Sequence, residues 1–191
     1  MNIKDFSLFF FQFPRVLKYK LLSNCKNISG KPKTHQPTQF LGKGSISFGK
    51  NVKLGFHPSP NFYNGYGYID ARKKQSRITI GNDVWINNCF VLISEGEGIA
   101  IGQKTIIGLN VEITDSDFHD LHPAKRIGGT PKTSKVHIGE NVFIGSNVKI
   151  LKGVSIGDNT VIANSSVVTK SIPANVIAGG YPCSVIKNIT Y

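Results

Sequence analysis

Two histidines, His119 and His122, stand in the stretch Thr114-Asp-Ser-Asp-Phe-His-Asp-Leu-His-Pro-Ala-Lys-Arg126. Imidazole titrates near neutral pH, so it can take a proton from a hydroxyl and pass it on. By residue type alone, either histidine would serve. Asp115 and Asp117 precede His119 at close spacing, and either carboxylate could orient an imidazole or hold a polar ligand. The cysteines Cys25, Cys89 and Cys183 are odd in number and lack metal-type spacing, which favours a reducing cytoplasm over a disulfide framework.

The elements around this stretch explain why it stands out. Ile138, Ile144, Ile150, Ile156, Ile162 and Val168 recur every six residues. Gly139, Gly145, Gly157 and Ala163 follow four of them, and Val142, Val148, Val154, Thr160 and Ser166 come four positions after the first five. A period of six fits neither a lone helix nor a lone half-buried strand. It fits a coil of three short strands, with one hexad on each side and eighteen residues per turn. The aliphatic residue points inward, and the small residue sits near a tight corner. Stacked coils pair as parallel strands, which suits β-branched residues.

The repeat begins weakly at Leu41-Gly42, Phe48-Gly49 and Leu54-Gly55. It breaks at 57–68, resumes at Ile80-Gly81, and runs to Ile113-Thr114. It then stops until Ile138. A loop over 114–135 inside a regular solenoid marks function, and His119 lies within it. The chain divides into an N-terminal segment over 1–39, helix then linker, and a solenoid over 40–188 with a closing tail. Residues 29–39 are polar and broken by Pro, so they are expected to form a connecting loop with His35 solvated. Arg72, Lys73, Lys74 and Arg77 read as a solvated basic corner.

The formal charge of +12 suits nucleic acid, an anionic membrane or a polyanionic ligand. No compact Lys/Arg run with interleaved aromatics points to nucleic acid. The apolar run Phe6 to Phe13 falls well short of the roughly 20 residues that span a bilayer. Phe6, Phe10, Phe13, Leu17 and Leu21 share one helical face, with Pro14 starting or kinking its second half. That face is expected to cap the first coil. The alternative is a helix lying on an anionic membrane.

The hexads resemble those of the hexapeptide acyltransferases. That resemblance implies an all-β left-handed parallel β-helix with a helical N-terminal cap and an extruded catalytic loop. The handedness comes from the resemblance alone. The stretch Thr114 to Arg126 resembles the loop of the maltose and galactoside acetyltransferases. Its Asp-x-Asp-x-His form is closer to the surface-polysaccharide and lipopolysaccharide O-acetyltransferases.

The resemblance implies an acetyl-CoA-dependent O-acetyltransferase acting on a sugar hydroxyl by direct transfer, in a cytoplasmic homotrimer with active sites between neighbouring solenoids. The acceptor could be lipid-linked, met at the inner face of the membrane. His119 falls on the catalytic base and His122 on a position without a chemical role. Ser146 falls on a residue whose N–H faces the thioester oxygen, and Phe143 stands where the family commonly has Trp. Asn87 and Glu95 fall near acceptor-binding positions, with Asp115 and Asp117 as further acceptor or orienting candidates. Gly145, Ser146, Ala163, Thr169 and Lys170 are implied along the coenzyme A edge, and Lys187 at a phosphate. No metal is expected: a relation to the γ-class carbonic anhydrases needs three histidines converging on zinc, and the spacing of His119, His122 and His137 does not resemble that class. The alternative activity is N-acetyl transfer to an amino-sugar nucleotide. A non-catalytic scaffold would have no reason to hold the loop histidine and the coenzyme A tail together.

Overall fold

The computed structural model describes residues 3–190, with side chains from residue 10 onward. One helix, α1 (Ile3–Leu21), precedes a three-sided parallel β-helix. Face A stacks β1 (Asn27–Ser29), β4 (Ser45–Phe48), β7 (Arg77–Ile80), β10 (Ile99–Ile101), β13 (Val136–Ile138) and β16 (Ser155–Ile156). Face B stacks β2 (Lys33–Thr34), β5 (Lys53–Leu54), β8 (Trp85–Ile86), β11 (Ile106–Ile107), β14 (Phe143–Ile144) and β17 (Val161–Ile162). It ends in β19 (Val176–Gly180) and the antiparallel β20 (Cys183–Asn188). Face C stacks β3 (Thr38–Leu41), β6 (Gly67–Ala71), β9 (Val91–Ser94), β12 (Glu112–Thr114), β15 (Lys149–Ile150) and β18 (Val167–Val168).

The inward residue of each hexad builds the core. On face B, Leu54, Ile86, Ile107, Ile144 and Ile162 lie in register and are almost wholly buried. Each such side chain contributes about 1.5–3 kcal/mol through burial. The corners use two devices. Asn51, Asp83, Lys104, Asn141, Asn159 and Asn175 take positive φ between faces A and B, where Asn and Asp tolerate the left-handed conformation best. Gly145 answers a different need. A Cβ there would lie 2.3 Å from Asn164 Oδ1 and 2.7 Å from Asn164 N in the next coil.

Two expectations are corrected. The solenoid starts before residue 40: β1 and β2 pair with β4 and β5 as parallel strands, so residues 27–39 are coil and not linker. Short strands broken by Pro32 and Pro37 hid this. The helix also docks by a different face. Gln12 is 7% exposed, and its Nε2 donates to Phe62 O at 2.8 Å. The Arg15 guanidinium donates to Phe62 O at 2.9 Å and to Gly65 O. Tyr19 stacks on Tyr66 with ring centroids 4.4 Å apart. Phe10, Phe13, Leu17 and Leu21 instead face outward, at 62%, 52%, 45% and 76% exposure. Phe6 lies outside the described side chains. The surface under α1 offers backbone carbonyls at Phe62 and Gly65, and these select the polar flank of the helix. Pro14 sits within a single helix.

Candidate active site

The long loop leaves at the corner between faces C and A. Ser134 N donates to Asp115 O at 2.9 Å, and Asp117 N donates to Lys132 O at 3.1 Å, which closes its stem. Asp115 is fully buried. Its carboxylate accepts from Ser94 Oγ at 2.8 Å and from the N–H groups of Glu95, Gly96 and Gly98. Glu95 accepts from Ser116 Oγ at 2.6 Å and pairs with Lys73 at 3.4 Å. Asp117 pairs with Lys152 at 3.4 Å. These carboxylates fasten the loop to its coil. The acceptor-binding expectation is therefore corrected for Asp115 and Glu95, whose oxygens are engaged at the stem. Among the described residues, neither Asp115 nor Asp117 forms a hydrogen bond or ion pair with His119.

Phe118 takes φ 60, a conformation that is strained for a bulky residue. Its N–H donates to Ser116 Oγ at 2.9 Å, and the Arg72 guanidinium lies 5.3 Å from its ring centroid. The next residue is His119, which is exposed. Its Nδ1 lies 3.2 Å from the Arg126 carbonyl oxygen. A carbonyl only accepts, so Nδ1 carries a proton, and in the neutral ring the lone pair then lies on Nε2. His122 does different work. Its Nδ1 accepts from Ala124 N at 3.3 Å and caps the short turn Pro123–Lys125.

Face B carries the second part of the site. The outward residues there are Lys53, Trp85, Ile106 and Phe143, in register. Trp85, Ile106 and Phe143 are 42%, 48% and 49% exposed. On face A the matching positions are Thr79, Ala100, His137 and Ser155. On face C, Glu112 and Lys149 pair at 2.6 Å. An apolar outer stripe on one face of three marks a binding surface. A cavity of about 410 Å³ lies along it, lined by Asn87, Phe143 and Ser146 together with Trp85, Lys33 and Lys53. Asn87 Oδ1 accepts from Asn88 N at 2.7 Å, which leaves its Nδ2 as the donor for a ligand.

Sequence reasoning passed over Lys33, His35, Lys53, His57, Trp85 and Ile106, all of which line this cavity. His35 was expected to be merely solvated. It is half-buried, and burial, with Lys33 and Lys53 nearby, pushes its imidazole below the usual value. The signal was the residue before each inward aliphatic, taken at coil spacing on one side only.

Two cofactor-edge expectations also change. The Ser146 N–H donates to Asn164 Oδ1 at 2.8 Å. The same staple joins Lys50 N to Asn82, Phe56 N to Asn88 and Glu140 N to Asp158. That N–H belongs to a corner ladder and is not free to face a thioester. Ala163 and the pair Thr169-Lys170 do not share an edge. Ala163 follows β17 at the corner between faces B and C, whereas Thr169 and Lys170 follow β18 at the corner between C and A. Six residues move the chain to the next corner, and only eighteen return it to the same one. Gly145 lies on the Ala163 corner, and Lys187 is exposed on β20. His119 therefore leaves from the corner opposite face B.

Among the described residues, no group of three or more His, Cys, Asp or Glu is placed to hold a metal ion. Burial pushes the Cys89 and Cys183 thiols up, away from the reactive thiolate.

Comparison with known proteins agrees with this architecture. The family described as "Bacterial transferase hexapeptide (six repeats)" matches residues 135–170. A galactoside O-acetyltransferase of Lactococcus lactis is 33% identical over 154 residues, 81% of this chain and 68% of that one. WbbJ of Escherichia coli, whose name proposes O-acetyl transfer in lipopolysaccharide biosynthesis, is 30% identical over 163 residues, 81% of this chain and 78% of that one. A galactoside acetyltransferase solved in complex with coenzyme A superposes with a TM-score of 0.54 at 30% identity, covering 85% of this chain and 66% of that one. The chain spans 62% and 59% of the length of two further relatives that are 40% and 38% identical to it. A left-handed β-helix carrying these hexads places the chain in the hexapeptide-repeat acyltransferase family.

Proposed function

We propose that this protein transfers an acetyl group from acetyl-CoA to a sugar hydroxyl, with His119 as general base. The observation that carries the proposal is the bond between His119 Nδ1 and the Arg126 carbonyl, which puts the lone pair of the neutral ring on Nε2 of an exposed side chain. Nε2 takes the hydroxyl proton as the sugar oxygen attacks the thioester carbonyl. The new carbon–oxygen ester bond forms, the carbon–sulfur bond breaks, and the thiolate takes the proton back from the imidazolium. The raised thiols of Cys89 and Cys183 support direct transfer over a cysteine acyl-enzyme. The relative bound to coenzyme A supports the donor. Thr169, Lys170 and Lys187 are the residues proposed for its diphosphate and pantetheine.

One chain does not bring His119 to face B. A homotrimer in which the loop of one subunit reaches face B of the next completes the site, with Asn87 at the acceptor and Phe143 and Ser146 beside the acyl group. This geometry supports the trimer.

The helix face bearing Leu17 and Leu21, with Lys18 and Lys20 beside it, supports contact with an anionic bilayer. Among the described residues, no helix is long and apolar enough to cross a membrane. We place the enzyme at the cytoplasmic face of the membrane, acting in surface-glycan assembly.

The test is coenzyme A release across sugar acceptors, wild type beside His119→Ala. Loss of about 10²–10⁴-fold in kcat is expected for a general base. Undiminished transfer by the variant ends the base assignment.

A further inference from the structure

Lys33 and Lys53 are register partners on adjacent strands of face B. Like charges side by side on one face of a sheet are unfavourable. Neither lysine forms an ion pair among the described residues. Lys31 and Asp83 border the adjoining hollow, so three ammonium groups meet one carboxylate, and Asp83 already accepts from Asn51 Nδ2 at 3.0 Å. Lys53 is held in place, with its Nζ 3.6 Å from the Trp85 ring centroid. The result is a cationic end, without an ion-pair partner among the described residues, to a mostly apolar cavity.

That end is far from the acyl site. β2 and β14 are four strand spacings apart on face B, roughly 19 Å at about 4.8 Å each. A sugar ring set against Phe143 does not span to Lys33, whereas Asn87, which follows β8, is one strand spacing from β5 and Lys53. A second hollow, lined by Phe13, Val16 and Phe62, shares His35 and His57 with the first and runs on to α1.

Building on the reading of face B as the acceptor groove, we infer that the acceptor is a glycosyl diphosphate whose phosphates rest on Lys33 and Lys53. Lysine binds phosphate as a point charge, and two adjacent ammonium groups match two linked phosphates. The sugar then lies along Trp85 and Asn87 toward Phe143. The handle beyond the diphosphate enters the hollow at α1. A nucleoside or a polyprenyl chain could occupy that place, and both present the same diphosphate.

The experiment is isothermal titration of the full chain at fixed salt without acetyl donor. The probes are inorganic pyrophosphate, uridine diphosphate, farnesyl diphosphate and, as neutral control, methyl galactoside. The three diphosphates are expected to bind at least about tenfold tighter than the control, as charge-assisted contacts predict. The Lys33→Gln/Lys53→Gln variant is expected to erase that margin while leaving coenzyme A affinity unchanged. Both lysines are surface residues, and an unchanged melting curve confirms that the variant folds. A margin that survives the variant overturns the inference. So does a parallel loss of coenzyme A binding, which assigns the lysines to the donor. Tighter binding of farnesyl diphosphate than uridine diphosphate, lost in Val16→Asp, identifies the polyprenyl form, and the reverse order identifies the nucleotide form. Because acetyl transfer is not read here, failure of the diphosphate preference and failure of His119 catalysis give separate results.

Discussion

At the scale of single residues, similar side chains separate by what already occupies them. His119 and His122 lie three positions apart, yet one presents a free Nε2 and the other caps a turn with Nδ1. His122→Ala is expected to keep transfer within about tenfold of wild type, since it removes only one local cap, while His119→Ala lowers it by about 10²–10⁴-fold. Steady-state kinetics of the two variants side by side make the comparison. Asp115 differs from both. Removing its carboxylate strands the N–H groups of half-buried Glu95 and Gly96 and of buried Gly98. Asp115→Ala is expected to destabilise by on the order of 3 kcal/mol, about 6–12 °C in Tm for a chain of this size. Calorimetry showing an unchanged Tm would contradict its role as the fastener of the loop.

Among the elements, α1 is the one whose sequence and placement pull apart. Its apolar residues form a good amphipathic stripe, but the coil beneath it exposes carbonyls at Phe62 and Gly65, which take Gln12 and Arg15. The stripe is left outward beside Lys18 and Lys20. The chain is expected to sediment with vesicles containing anionic lipid and to be released by raised salt, because basic residues contribute about 1 kcal/mol each near such a surface. Leu17→Asp/Leu21→Asp should abolish sedimentation without changing Tm. Equal sedimentation of that variant would remove the membrane contact from the proposal.

For the whole molecule, a triangular coil sets the loop and face B on opposite sides, so the proposed site draws on two subunits. Mixing His119→Ala with Phe143→Asp chains under conditions of subunit exchange tests this. In a cyclic trimer with random mixing, about a quarter of the sites receive the intact loop from one chain and the intact face from the other. Activity should therefore return to about a quarter of wild type from two inactive parents. No recovery, with exchange shown by mass, would place both halves of the site in one chain.

Much of this was legible in the residues. The six-residue period specifies the coil, because only a three-sided turn returns inward positions at that spacing. Its failure between Ile113 and Ile138 locates the loop of His119. The period does not say which side faces outward to a ligand, since all three sides share one inward pattern. That choice belongs to the outer residues and their stacking across coils: Trp85, Ile106 and Phe143 come together from well-separated parts of the sequence. The same limit hid the corner geometry of Ala163 and Thr169, the occupied N–H of Ser146, and the paired Lys33 and Lys53. Each depends on which groups meet one coil above or below, and only the stacked coils decide that.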